Sequence, residues 1–131
     1  MSFGQREYDR QKPEIEFPGE NPPVELVIED IIVGDGAEAV PGKTVSTHYV
    51  GVAWSTGEEF DASWNRGEPL DFTVGIGQVI RGWDQGLLGM KVGGRRRLEI
   101  PSELAYGARG AGSAIGPNEA LIFVVDLVDV K

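Results

Sequence analysis

The chain has 131 residues, among them 19 glycines, 8 prolines, 1 histidine and no cysteine, with a formal charge of -9 at neutral pH. One domain's length of chain at 40% hydrophobic content supports a single modest core. The missing thiols and lone imidazole exclude disulfides, cysteine nucleophiles, Cys-ligated metals and His-rich metal sites.

The acidic balance attracts neither phosphate backbones nor anionic membranes, so no nucleic acid and no membrane is expected as a partner. No stretch approaches ~18 uncharged apolar residues. The opening MSFGQREYDRQKPE lacks the apolar centre of a signal peptide. A soluble, cytoplasmic protein is the expectation and, with no dimer surface in the pattern, a monomer.

Residues 1–23 carry five acids, three bases and four prolines among few apolar side chains. That is too little burial to offset the entropy of ordering them, and a flexible tail is expected, with Phe3, Tyr8, Ile15 and Phe17 as its docking-capable side chains. Residues 24–131 read as one folded domain. Short runs rich in Val, Ile and Phe, punctuated by Gly and Asp, mark antiparallel strands. They fall at Glu25 to Val33, Thr44 to Trp54, Glu58 to Ser63, Leu70 to Val74, Arg95 to Ile100 and Leu121 to Val130. Val45, Thr47 and Tyr49 share one face of the second, and Asn65 to Pro69 reads as a kinked interruption. The last run is apolar on both parities until its acids, which places it in the middle of the sheet.

Between Gln78 and Met90, the side chains of Val79, Ile80, Trp83, Leu87 and Met90 fall on one helical face. Gly82, Gly86 and Gly89 form a stripe that costs ~0.8 to 1 kcal/mol per glycine relative to alanine, so packing must hold this helix. The predicted class is α+β: a curved antiparallel β-sheet of five to six strands wrapped around one short amphipathic α-helix, with Trp83 pointing inward. Trp54 and Trp64 are expected to face solvent. Arg96 is expected to reach outward from its strand end.

His48 has no Ser, Cys or acid at a diagnostic spacing and reads as a structural or surface residue. Gly75-Ile76-Gly77 lacks the third glycine of a dinucleotide fingerprint. Arg95-Arg96-Arg97 reads as a run solvated or paired with nearby acids and not as an anion site. What remains is an aromatic and aliphatic set, Tyr49, Phe60, Phe72, Val79, Ile80, Trp83, Tyr106, Ile115 and Phe123, converging between helix and sheet. Asp61 follows Phe60 directly, and the Gly-rich loop from Pro101 to Ala120 carries Tyr106. An apolar cleft with polar groups at its rim is the reading.

The motifs HYVG at 48–51, GEEFDAS at 57–63, VGIGQVIRGWDQGLLGMKVGGRRRLEIP at 74–101, LAYGARG at 104–110 and LIFVVDL at 121–127 resemble the FKBP family of peptidyl-prolyl cis-trans isomerases. The resemblance covers residues 24–131. It implies a sheet around one helix, isomerase activity on proline-containing polypeptides during folding, binding of tacrolimus or rapamycin, and no cofactor or metal. It also implies catalytic roles for Tyr49, Phe60, Asp61, Trp83, Tyr106 and Phe123, with Trp83 as pocket floor. Substrate-binding roles fall to Arg66, Leu70, Phe72, Val79, Ile80, Ala111 and Ile115, the Ile80 N–H and the Tyr106 hydroxyl being donors to ligand carbonyls. Leu70, Ala111 and Ala114 stand where the family often has larger groups, which reduces contact area at the rim. A non-catalytic proline-motif or macrolide-binding module is the alternative reading.

Overall fold

The computed structural model describes residues 10–16, 19 and 21–131. Its strands are β1 (Val27–Ile32), β2 (Thr44–Ala53), β3 (Glu59–Ala62), β4 (Leu70–Thr73), β5 (Arg95–Ile100) and β6 (Leu121–Val130), with helices α1 (Ser63–Arg66) and α2 (Arg81–Gly86). All pairings are antiparallel, and the order is β1-β5-β6-β2-β3, with β4 also on β2. The doubly apolar β6 is central, as its pattern predicts, and Leu121 to Leu127 are all buried.

One edge of β2 belongs to β6, and the other is divided. Thr44 to Thr47 pair with β4, whereas Val50 to Val52 pair with β3. Tyr49 falls in the gap, and the Ser63 hydroxyl fills it by accepting the Tyr49 N–H at 2.7 Å. A buried backbone donor is thus satisfied by a side chain where no strand reaches it. The expected kink at 65–69 is in part a helical turn, α1, ended by Gly67 in the left-handed region at φ 79°. The described residues therefore form two short α-helices, one more than predicted.

The second helix, α2, is shorter than the apolar spacing suggested. Ile80 is still extended, with φ -59° and ψ 152°, and the chain leaves the helix after Gly86. Two of the three stripe glycines pack against β5. A Cβ on Gly82 would stand 2.5 Å from Ile100 Cγ2, and one on Gly86 would stand 2.8 Å from Leu98 Cδ2. Gly89 differs: it has open space around it and a φ of 86°, so it turns the chain and does not seat the helix. Trp83, Leu87, Leu98, Ile100, Phe123 and Val125 meet in the main core.

Three surface expectations are corrected. Arg96 turns inward, with Leu98 and Ile100: it donates to Asp30 and to the carbonyls of Gly86 and Leu88. Carbonyls left unpaired at the end of α2 supply the partners that draw the guanidinium in. Trp54 is 6% exposed, packed with Ala120, Ile122 and Ile15. Trp64 is half-buried and stacks on His48, with ring centroids 4.3 Å apart. Residues 10–16 lie along the outer face of the sheet, where Ile15 packs beside Trp54 and on Val50, Val52 and Ala62. Phe3, Tyr8 and Phe17 lie outside the described residues.

Candidate active site

Phe60 and Asp61 are neighbours in a strand, where alternation would point them to opposite faces. A bulge changes this. Val52 opposes Glu59 and Gly51 opposes Asp61, which leaves Phe60 as the extra residue on β3. Both Phe60 and Asp61 consequently line one cavity of about 170 Å³. Gly51 makes room for the arrangement, since a Cβ there would stand 2.6 Å from both Phe60 Cζ and Phe123 Cε1.

Trp83, 3% exposed, forms the base of this cavity. Tyr49 and Phe123 meet its indole edge-on, with centroids 5.1 Å and 5.2 Å away and both planes at 83°. Phe60 stands edge-on to Phe123 at 5.5 Å. Such tilted contacts fix each ring's plane through its neighbour. Leu70, Gln78, Val79, Ile80 and Tyr106 complete the lining.

The polar edge is a closed triangle. Tyr49 OH donates to Asp61 Oδ2 at 2.6 Å, Arg66 Nη1 donates to Asp61 Oδ1 at 2.8 Å, and Arg66 Nη2 donates to Tyr49 OH at 2.8 Å. Burial pushes the Asp61 carboxyl up, but the bonds from Tyr49 and Arg66 outweigh it and hold the group below the usual aspartate range. Burial raises the Tyr49 hydroxyl, and the Asp61 carboxylate raises it further. Tyr106 is raised by burial and then by the charge of Asp61. Around neutral pH the rim therefore holds one carboxylate, one guanidinium and two neutral phenols. Asp61 has both oxygens engaged, so this is a scaffold of fixed dipoles, not a free general base.

Two clamps position the remaining edge. Asp84 accepts the N–H groups of Gly75 and Gly77, each at 2.8 Å, and Gln78 Oε1 accepts the N–H of Thr73 at 2.8 Å. They fix the turn that delivers Val79 and Ile80. On the opposite side, Tyr106 lies between two 3-10 turns, Ser102–Leu104 and Gly107–Arg109. Arg81 of α2 ties that loop down through the Glu103 carbonyl.

Of the thirteen residues drawn from the sequence, nine line the cavity. Phe72 packs against Trp83 at 5.5 Å outside the lining, and Arg66 reaches the cavity only through Tyr49 and Asp61. Ala111 and Ile115 bond reciprocally through their backbones, at 2.8 Å and 3.1 Å, and Ile115 belongs to the core. Sequence reasoning missed Gly51, Ser63, Gln78 and Asp84. All four lie within the motifs HYVG, GEEFDAS and VGIGQVIRGWDQ, but their roles come from pairings and close approaches that only the folded chain creates.

A sheet closed on one short helix, with an aromatic cavity between them, defines the class of protein. The sequence model of the FKBP-type peptidyl-prolyl cis-trans isomerase family matches residues 36–128, and the chain belongs to that family. Among particular relatives, it is 68% identical over 121 residues to the FK506-binding protein of Streptomyces anulatus, covering 92% of this chain and 98% of the relative. The peptidyl-prolyl cis-trans isomerase FPR2 of Saccharomyces cerevisiae is 49% identical over 106 residues, 81% of this chain and 76% of its own. The crystal structure of AtFKBP13 superposes with a TM-score of 0.75 at 44% identity, covering 81% of this chain and 93% of that one. The chain is thus an FKBP-type isomerase domain.

Proposed function

We propose that the Trp83-floored cavity accelerates X-Pro rotation by holding the twisted amide. Rotation breaks amide resonance against a barrier of ~18–20 kcal/mol, and no covalent bond need form or break. A twisted amide has lost charge separation, so its carbonyl suits a dry aromatic cavity better than water, whereas the planar isomers gain less there. Phe60, Phe123 and Tyr49 enclose the prolyl ring over Trp83. The Ile80 N–H and the Tyr106 hydroxyl hold adjacent carbonyls, fixing one end while the other turns. Leu70, Val79 and the more distant Phe72, Ala111 and Ile115 set the shape around it, and the Asp61–Tyr49–Arg66 triangle orients the polypeptide.

The observation that carries this reading is the aromatic-walled cleft beside a carboxylate already committed to two donors. We further infer a monomer acting in the cytoplasm on proline-containing polypeptides. The same cavity would admit tacrolimus or rapamycin, and the Streptomyces relative carries FK506 binding in its name. No helix among the described residues is long and apolar enough to cross a membrane. Exchange NMR on X-Pro tetrapeptides tests the proposal: catalysed exchange that tacrolimus abolishes is expected. Macrolide binding without catalysis would instead favour the binding-module reading.

A further inference from the structure

Residues 10–16 cross the face of the sheet opposite the cavity, and one of their contacts, through Lys12, joins β3 to α1, the elements that carry Asp61 and Arg66. Lys12 Nζ donates to Glu59 Oε2 at 3.1 Å and to Asn65 Oδ1 at 3.0 Å. Asn65 Nδ2 in turn donates to Glu59 Oε2 at 3.0 Å. Glu59 lies two residues before Asp61 on the same strand, and Asn65 immediately precedes Arg66 on the same helical turn. The three side chains therefore clasp β3 to α1 from behind, as Asp61 and Arg66 do from the cavity side.

Ile15 adds an apolar contact at the same corner. It packs on the cluster of Val50, Val52 and Ala62, and Val50 and Ala62 are the paired residues that close the β2–β3 ladder beside Asp61. The other end of the segment is also anchored. Arg10 Nη2 donates to the Gly93 carbonyl at 2.5 Å, Arg10 Nη1 lies 3.8 Å from the Asp126 carboxylate, and the Gln11 carbonyl accepts from Arg95 at 2.9 Å.

We propose that residues 10–16 are a positioning strap for the Asp61–Tyr49–Arg66 triangle, with Lys12 and Ile15 as its positioning residues. By holding the orientation of α1 relative to β3, which it directly follows, the strap keeps Arg66 within reach of both Asp61 and Tyr49. Neither Lys12 nor Ile15 lines the cavity, so both act only through the triangle. The inference rests on the reading that this triangle orients the substrate.

The test is a double-mutant cycle: kcat/KM on an X-Pro tetrapeptide for the full chain, Lys12→Ala, Lys12→Arg, Asp61→Ala and the Lys12→Ala/Asp61→Ala pair. Assays run well below each variant's unfolding temperature. Lys12→Ala should lower kcat/KM about threefold, within the range for a partly exposed ion pair, and Lys12→Arg should restore it. In the Asp61→Ala background, Lys12→Ala should have no further effect, an outcome that a purely structural role would not give. An unchanged rate for Lys12→Ala beside a slowed Asp61→Ala overturns the strap alone. So does a Lys12→Ala loss that persists in full without Asp61. An Asp61→Ala variant as fast as the parent overturns the orienting role of the triangle, and the strap with it.

Discussion

At the scale of single residues, the proposed mechanism turns on which donors surround Asp61. Its carboxylate is held low only because Tyr49 and Arg66 outweigh the burial that would raise it. Tyr49→Phe removes one donor and leaves the burial, so the Asp61 pKa should rise, a change visible in a 13C carboxyl titration. The intact protein should show no carboxylate inflection in kcat/KM from about pH 5 to pH 9, because Asp61 titrates below that window and both phenols above it. Asp61→Ala should slow turnover by much less than the ~100-fold to 10,000-fold typical of losing a general base. A steep loss, or a carboxylate-shaped pH profile in the parent, would show that Asp61 transfers a proton.

At the scale of elements, the site depends on backbone close approaches that side chains would obstruct. Gly82→Ala improves intrinsic helix propensity by ~1 kcal/mol, yet its methyl would press on Ile100. Overpacking at ~1–3 kcal/mol should outweigh that gain, leaving a net loss of up to about 2 kcal/mol in urea unfolding. A stabilised Gly82→Ala would mean that α2 is not seated on β5 as described. Gly51→Ala should displace the Phe60 and Phe123 rings, costing turnover as well as stability, whereas Gly82→Ala acts mainly on stability. The contrast separates a cavity wall from its support.

These elements also mark what the sequence can convey. Alternation and apolar runs located six strands and the central β6, because burial of faces writes period-2 text directly. The apolar spacing at 78–90 overextended α2, since Val79 and Ile80 serve the cavity edge from an extended turn and Gly89 bends the chain away. The bulge at Phe60 left no mark, because one extra residue in a ladder is defined only by the strand opposite. Ser63 likewise acquires its role from a gap between two strands distant in sequence from Tyr49. Nine cavity residues were legible through apolar patterning and family motifs, whereas the clamps by Asp84 and Gln78 depend on loop geometry.

At the scale of the whole molecule, the outer face of the sheet carries a polar layer that the composition did not reveal. Counting apolar residues in 1–23 suggested a solvated tail; within its described part, Arg10 and Lys12 anchor through charge and Ile15 packs on two apolar clusters. Beneath them His48 is buried, its Nδ1 2.9 Å from the Ser63 hydroxyl. Burial depresses its pKa, and the Asp126 carboxylate offsets this only in part. A histidine lowered in the folded state binds more protons when unfolded, so its contribution to stability is complete above its ordinary pKa and lost as pH falls below it. The urea midpoint should therefore fall between pH 7.5 and pH 5.5, about the histidine range. His48→Gln should remove that part of the pH dependence, and an unchanged slope would assign it to other groups.

The central claim is that an aromatic cavity without a proton-transfer couple catalyses amide rotation, and the most direct measurement is the X-Pro exchange rate with and without an intact floor. Micromolar wild-type protein should accelerate cis-trans exchange of an X-Pro tetrapeptide, while Trp83→Phe, folded by circular dichroism, should do so far less. No acceleration by the wild type, or full acceleration without the indole, would contradict it.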